Sequence, residues 1–158
     1  MTTKIERAYC ALHELLDALA QGLDAIPDKV LRNSVLAEVL AESRTGVRGL
    51  MNLVDQRSIV DAELICGSAD DQEVELIQPA RLEVVVIEPD PKKRDAQFDQ
   101  IMEALGRLFV SMDGTLGGIV DGVRVSQPPE RFVLNGYQGA KAAAITIEMT
   151  LTAPTVFG

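Results

Sequence analysis

The residues able to act as a nucleophile, a general base or a zinc ligand are few and far apart in this sequence. His13 is the single histidine, and the two cysteines are Cys10 and Cys66. A catalytic histidine needs a nucleophile and an orienting carboxylate beside it, and the familiar serine and cysteine nucleophile motifs do not occur. One histidine and two distant cysteines also do not make a tetrahedral zinc set. We therefore expect His13 to be structural and both cysteines to be reduced, small, packed residues.

A glycine-rich segment, Gly114-Thr115-Leu116-Gly117-Gly118, is the one candidate for a phosphate-binding loop. Such a loop leads from a strand into the N-terminus of a helix, where backbone N–H groups converge on the anion. Here the glycines follow a predicted helix and precede a predicted strand. We interpret the segment as a flexible turn after the helix C-terminus.

An acidic segment, Asp70-Asp71 followed by Glu73 and Glu75, could attract calcium. It lacks the alternating ligand spacing and the closing glutamate of an EF-hand loop. We interpret it as the solvated tip of a hairpin, and we predict neither a metal nor another cofactor.

The densest basic run is Lys92-Lys93-Arg94, placed where a helix begins. This end of a helix dipole is unfavourable for cations. Two interpretations remain open: a flexible, solvated loop, or a contact with an acidic patch on a partner.

Three aromatic residues, Phe132, Tyr137 and Phe157, lie in predicted loops or at the C-terminus. A large apolar ring in such a place needs a neighbour to cover it, and a subunit interface can supply that neighbour. We predict an interface role for all three.

Composition limits the class of protein. The chain has 158 residues, of which 47% are hydrophobic and 25% charged, enough for one domain over residues 1–158 with its own core. The net charge of -9 argues against nucleic-acid binding, because such binding depends on Lys and Arg side chains that contact the phosphates. Because no run of about 18 apolar residues and no signal-peptide pattern occur, we expect a cytosolic chain without membrane contact.

Two amphipathic helices are predicted from apolar residues at steps of three and four. The first covers residues 5–23 and counts Tyr9 among its apolar positions. Thr2 or Thr3 is its cap, and Gly22 and Pro27 are its stop. The second runs from Phe98 to Met112.

Several strands are predicted between and after these helices. A short strand and then a loop or short helix fall in residues 29–43, and a turn and a strand in 44–57. Residues 59–66 and 73–77 read as a hairpin, 81–88 as a central strand, and 122–126 and 144–152 as the last two strands, separated by a turn at Gly136 to Gly139. In residues 144–152 apolar side chains alternate with Thr and Glu, which indicates one buried face and one open or partner-facing one. The predicted fold class is α+β: an antiparallel or mixed sheet with two main helices packed on one face.

This order of elements carries a resemblance to a known family. It consists of an N-terminal amphipathic helix, the Val30-Leu31-Arg32-Asn33 segment, an acidic hairpin, a strand, a second helix and a closing alternating strand. Together with residues 98–108, 122–125 and 144–149, it resembles the tail-terminator and minor tail proteins of long-tailed bacteriophages over nearly the whole chain. The apolar middle, residues 31–60, departs from the shorter members of that family.

The resemblance implies a protein without enzymatic activity that forms a ring, hexameric in this family, on the end of the tail tube. The ring would stop tube polymerisation and join the tail to the head-side connector, in a virion tail assembled in the host cytoplasm. The implied partners are further copies of the chain, the tail tube protein and the connector protein. DNA would pass through without specific binding, since an acidic lumen would not retain it. The residues that we assign to interfaces are Arg32, Lys92, Lys93, Arg94, Phe132, Tyr137 and Phe157.

Other classes stay open. One is a small α+β enzyme or ligand-binding domain whose site uses carboxylates and backbone groups around Glu83, Arg124 and Glu148. A closed pocket with converging polar groups would favour it. The others are a cellular oligomeric adaptor with no phage connection and a different neck or tail completion protein of a phage.

Overall fold

Two 14-residue strands, β4 (Val74–Ile87) and β7 (Ala140–Ala153), pair antiparallel along their whole length and form the centre of the sheet. The computed structural model describes residues 2–24, 26, 30–42, 48–60 and 73–154. Val and Ile recur in β4, and Ile and Thr recur in β7; these β-branched residues favour an extended backbone. The other elements, in chain order, are α1 (Lys4–Ala20), β1 (Leu31–Arg32), α2 (Leu36–Glu42), β2 (Gly49–Asp55), β3 (Ile59–Val60), α3 (Pro91–Ser111), β5 (Gly122–Arg124) and β6 (Glu130–Phe132).

The sheet is mixed. Its order is β1-β2-β4-β7-β5, with β3 paired to β4 and β6 paired to β7. Strands β1 and β2 run parallel, and the other pairs are antiparallel. The predicted α+β class with a mixed sheet is confirmed.

Helices α1 and α3 cover one face of this sheet and enclose the main core. Even-numbered residues of β4 and odd-numbered residues of β7 point into it, because side chains alternate along a strand. The predicted packing of two main helices on one face, and the predicted alternation along the last strand, are confirmed.

The opposite face is covered at one end only. There α2 and residues 132–137 pack over Leu50, Val85 and Ala142 and form a second, smaller apolar cluster. Farther along β7 the same face presents Thr146 and Glu148, which are partly exposed. The sheet therefore has one helix-covered face and one half-open face.

Both long helices have side-chain caps at their first turn. The Thr3 hydroxyl accepts the N–H of Glu6 at 3.1 Å, as predicted, although α1 ends at Ala20 rather than residue 23. Helix α3 begins at Pro91, seven residues before the predicted start at Phe98, and its cap is Asp90. Proline at the first helical position loses no hydrogen bond, so Pro91 starts α3 instead of merely ending the strand before it.

Strand β4 is continuous where the sequence predicted two strands, at 73–77 and 81–88. That prediction is wrong because Gln78 and Pro79 interrupt the apolar alternation without breaking the strand. Strand β2 ends opposite Ala80 and β3 begins opposite Ile77, so Pro79 lies against the gap between them. A proline is tolerated there, since no ladder partner needs its missing N–H.

The stretch between β5 and β7 contains one element that the sequence analysis missed and one turn that it predicted. Strand β6 places Phe132 in a strand, not a loop, and its three residues are too few to show a period. At the predicted turn, Gly136 and Gly139 have φ values of +85° and +84°. A Cβ on Gly139 would lie 3.1 Å from the Glu88 carbonyl oxygen, and the positive φ would strain any other residue. Glycine therefore favours the close approach in which the Glu88 N–H donates to the Gly139 carbonyl at 3.0 Å.

The middle of the chain follows the prediction where it is described. A short strand and a short helix occur in 29–43, and a strand in 44–57. Of the predicted 59–66 strand only β3 is described; Cys66 and the predicted hairpin tip at Asp70-Asp71 lie outside the described residues. Among the described helices, none combines the length and apolar character that crossing a membrane requires.

We predict that Leu105→Ala destabilises the protein by about 2–5 kcal/mol, because Leu105 on α3 is 1% exposed within the main core. Gln100→Ala, at an exposed position of the same helix, should change stability by less than about 0.5 kcal/mol. Urea denaturation measures both. A Leu105→Ala curve that overlays the wild-type curve would show that α3 does not pack as described.

Candidate functional site

A charged cluster joins α1 to the β1–β2 edge of the sheet, and Arg32 is its centre. Strand β1 places Arg32 between Glu6 on α1 and Asp55 at the end of β2. Its Nη1 and Nη2 lie 2.8 and 2.9 Å from the Glu6 carboxylate oxygens, and its Nε and Nη2 lie 3.3 and 2.9 Å from those of Asp55. Two bidentate pairs fix the guanidinium, which also lies 5.2 Å from the Tyr9 ring centroid.

These contacts change the acid–base behaviour of the cluster. The hydrogen bonds from Arg32 lower the pKa of Glu6, and those from Arg32 to Glu6 and Asp55 raise the pKa of Arg32 further above its already high range. Only 22% of the Arg32 side chain is exposed. A partner at this edge would therefore meet one cation already paired with two carboxylates that are more exposed, which is a net negative cluster rather than a free cation. The interface role of Arg32 stays a prediction.

A buried polar cluster fills the gap between β2 and β3. The Gln78 amide group donates to the Tyr9 hydroxyl at 2.7 Å and to the Gln56 carbonyl at 2.6 Å, and it accepts from the Ser58 hydroxyl. The Tyr9 hydroxyl donates to the Pro79 carbonyl at 2.5 Å and accepts the Gln56 N–H at 3.1 Å. Burial raises the pKa of Tyr9. The cluster satisfies backbone groups that neither β2 nor β3 pairs.

The sequence analysis missed this cluster because it treated Tyr9 as one of the apolar positions of α1. A signal was available in Gln78, an amide at a position that points into the core once β4 is one strand. A buried amide needs hydrogen-bond partners, and a tyrosine on the covering helix can supply one.

The carboxylates considered for a ligand site do not converge. Glu83 accepts from the Asn52 amide group at 3.0 Å, whereas Glu148 accepts from Arg124 Nε at 2.6 Å. Glu83 lies opposite Ala144, four residues from Glu148 along β7, which is a separation of roughly 13 Å. The three residues belong to two separate polar clusters rather than to one pocket.

His13 and Cys10, which were considered for catalysis, lie on α1 in different settings. His13 Nε2 lies 2.7 Å from the Val30 carbonyl oxygen, and Asp17 accepts the Val30 N–H at 3.0 Å, so both side chains hold the chain that leads into β1. The structural role expected for His13 agrees with these contacts. The prediction that Cys10 is packed is wrong, because it lies on the exposed flank of α1.

Asp113 organises the glycine-rich loop after α3. Its carboxylate accepts the Thr115 N–H at 2.9 Å, the Gly117 N–H at 2.8 Å and the Thr115 hydroxyl at 2.8 Å, and these bonds lower the pKa of Asp113. These N–H and hydroxyl groups of the loop therefore donate to a carboxylate of their own chain, as expected for a turn after a helix. A groove of about 310 Å³ separates the loop from α1. Its lining residues are Ala11, Glu14, Leu15, Asp113, Leu116 and Gly117.

The acidic residues considered for calcium are only partly described. Glu73 and Glu75 are exposed at the start of β4, and Asp70 and Asp71 lie outside the described residues. Within the described ranges, no three His, Cys, Asp or Glu side chains gather as a metal site would require.

The Lys92-Lys93-Arg94 run forms the first turn of α3, so the interpretation as a loop is wrong. Both lysines are exposed, whereas Arg94 is partly buried and donates from Nη1 to the Glu88 carbonyl oxygen at 3.0 Å. Their predicted contact with an acidic partner stays a prediction.

The predicted interface aromatics Phe132 and Tyr137 belong to the second apolar cluster on the half-open face. The Arg81 guanidinium lies 5.7 Å from the Phe132 ring centroid and covers part of that ring. Between the two aromatics, Val133 is 85% exposed. Phe157 lies outside the described residues.

Comparison with known proteins bears on the fold. No protein-family model and no curated protein matches the sequence. Twenty chains of solved structures match it. One of them, whose name describes no function, aligns with a TM-score of 0.52 and 15% identity, over 98% of this chain and 99% of its own. A likeness at this identity shows a shared fold alone.

We predict that Arg32→Gln lowers the free energy of unfolding by about 1 kcal/mol at neutral pH, since the cluster is partly open to solvent. The folded-state pKa of Glu6 lies below its usual 4.5, so this stabilisation is present above that pH and is lost as the pH falls through the lowered value. Wild-type and variant stabilities, measured by urea denaturation, should converge in acid.

Arg107→Gln is the matched control, because Arg107 pairs with Glu103 on the exposed side of α3. We expect its effect to stay below about 0.5 kcal/mol. A difference between Arg32→Gln and wild type that is constant from neutral pH to acid would contradict the role assigned to the Glu6 pair.

We predict that Tyr9→Phe destabilises the protein by about 1–3 kcal/mol, because it removes a partner from the buried Gln78 amide group and from the Gln56 N–H. Tyr137→Phe is the control, and it should change stability by less than about 0.5 kcal/mol. Equal unfolding free energies for Tyr9→Phe and wild type would show that the hydroxyl does not hold the β2–β3 gap.

Proposed function

We propose that this protein is a structural virion protein that forms a ring on the end of a phage tail tube, stops tube polymerisation and joins the tail to the head-side connector. The proposal starts from the resemblance in element order to tail-terminator and minor tail proteins. The α+β fold with two long helices on one sheet face is compatible with that resemblance. The structural observation that carries the proposal is the exposed segment of residues 132–137 on the half-open face.

This segment has the character of a protein contact. Val133 is 85% exposed and lies between Phe132 and Leu134, which pack on α2 and the sheet. Covering an exposed apolar side chain that stands on an apolar cluster lowers the free energy, so such a side chain favours contact with a second protein surface. The side chains of the Arg32 cluster and the Tyr9–Gln78 cluster are already hydrogen-bonded within the chain, so they leave fewer polar groups for a partner to bind.

The charge of the chain suits a ring through which DNA passes. Lys and Arg number 15 against 24 Asp and Glu. A lumen that carries net negative charge repels the phosphate backbone and leaves DNA free to move.

Light scattering after size exclusion, with and without the tail tube protein, tests the proposal. A hexamer of 17.1 kDa chains has a mass of about 103 kDa. We expect a ring of defined mass, and tubes that stop growing when the protein is added. A strict monomer in the presence of the tube protein, with no effect on tube length, would overturn the proposal.

We predict that Val133→Asp shifts the assembled form toward monomer and weakens tube termination, because a carboxylate in an apolar contact must be desolvated. Val110→Asp is the matched control: Val110 is 90% exposed on α3, on the other face of the sheet. Both variants should keep the wild-type melting temperature within a few degrees. If both variants lose assembly equally, or if neither loses it, residues 132–137 do not form the contact.

A further inference from the structure

Opposite charges lie at the two ends of α3. Lys92 and Lys93 occupy its first turn, and Asp113 follows its last residue by two positions. A helix of 21 residues is roughly 31 Å long. The two ends therefore lie on opposite sides of the molecule.

The acidic end contains the groove between α1 and the loop after α3. Ala11, Leu15 and Leu116 supply apolar walls, and Glu14 stands exposed beside them. No described side chain pairs with Glu14. Asp113 adds a second negative charge while its oxygens also hold the loop. Apolar walls with carboxylates at the rim match a lysine, whose aliphatic stem packs while its ammonium group meets the charge.

The basic end offers such lysines. No described side chain pairs with Lys92 or Lys93, and both are exposed. The nearby carboxylates are occupied: Asp90 caps the helix, and Asp95 accepts from Lys141 at 2.9 Å. Arg131 lies close enough to Asp95 to contribute to its lowered pKa, after the larger effect of Lys141, so it adds positive charge to this end.

We propose that the groove receives the Lys92-Lys93 turn of a second copy of this chain, an inference that rests on the proposed ring and names one of its contacts. The same copy cannot supply the lysines, because the length of α3 separates them from the groove. Charge complementarity between the two ends selects the occupant. The contact is head-to-tail, and a repeated head-to-tail contact closes a ring when its successive rotations complete one full turn without translation along the axis.

Charge reversal tests the contact. The double variant, Lys92→Glu with Lys93→Glu, places carboxylates against the acidic groove. Glu14→Lys places an ammonium group against the basic first turn of α3. Each should weaken self-association by at least about ten-fold in sedimentation velocity at low salt, through like-charge repulsion. Combining all three substitutions restores opposite charges between position 14 and the first turn of α3, although Asp113 stays acidic. The triple variant should therefore associate at least about five-fold more tightly than either reversal alone. Added salt should weaken the wild-type contact.

Two controls separate contact from folding. Acidic residues in the first turn of a helix are favourable, so the double lysine variant should melt no lower than wild type. Glu75→Lys makes the same charge change as Glu14→Lys at an exposed position of β4, on the sheet face opposite α1 and α3, and it should leave association unchanged.

The outcomes distinguish this inference from the proposed function. If both charge-reversal variants assemble as well as wild type, or if the triple variant does not regain assembly, the contact is overturned and the ring stays in place. A wild-type chain that stays monomeric with the tube protein would overturn both.

Discussion

The pairing of β4 with β7 over 14 residues is the constraint on which the rest of the structure depends. Because side chains alternate along both strands, this one register decides which residues meet α1 and α3 and which face the other side. A one-residue shift of β7 against β4 would place Thr146 on the core face beside Leu82 and would turn Ile145 to the other face. The shorter strands attach to this pair and finish its edges. Where β2 and β3 leave a gap, Pro79 needs no partner for its nitrogen, and the Tyr9–Gln78 cluster binds its carbonyl oxygen.

Polar side chains attach the outer elements to the central pair. Arg32 ties α1, β1 and β2 together, and Asn52 is wholly buried while it exchanges two hydrogen bonds with the Ser34 backbone, at 2.8 and 3.2 Å. An amide that both donates to and accepts from one residue imitates a strand partner where the chain leaves β1 toward α2. Such closed clusters stabilise the fold by satisfying buried groups. Among the described residues, the exposed side chains on which the proposed contacts rest are Val133 on the half-open face, and Glu14, Lys92 and Lys93 near the two ends of α3.

Elements with several periods of apolar residues could be predicted from the sequence, and α1, the apolar part of α3 and β7 are examples. The first turns of α3 could not be predicted in this way, because residues 91–97 contain no apolar stripe. Strand β6 is too short for a period, and Pro79 conceals the continuity of β4. The Arg32 cluster joins residues 26 and 23 positions apart, which only the completed fold brings together. The groove between α1 and the loop after α3 has the same origin, since its two sides lie about a hundred residues apart in the sequence.

The exposed apolar segment and the separated end charges are the features on which the proposed contacts with other chains rest. That this chain closes a ring on the end of a tail tube is tested most directly by cryo-electron microscopy of tubes polymerised with the protein. We expect extra density in the form of a ring at one end of each tube, into which six copies of this fold fit. Tubes whose ends are the same with and without the protein would contradict the proposed ring.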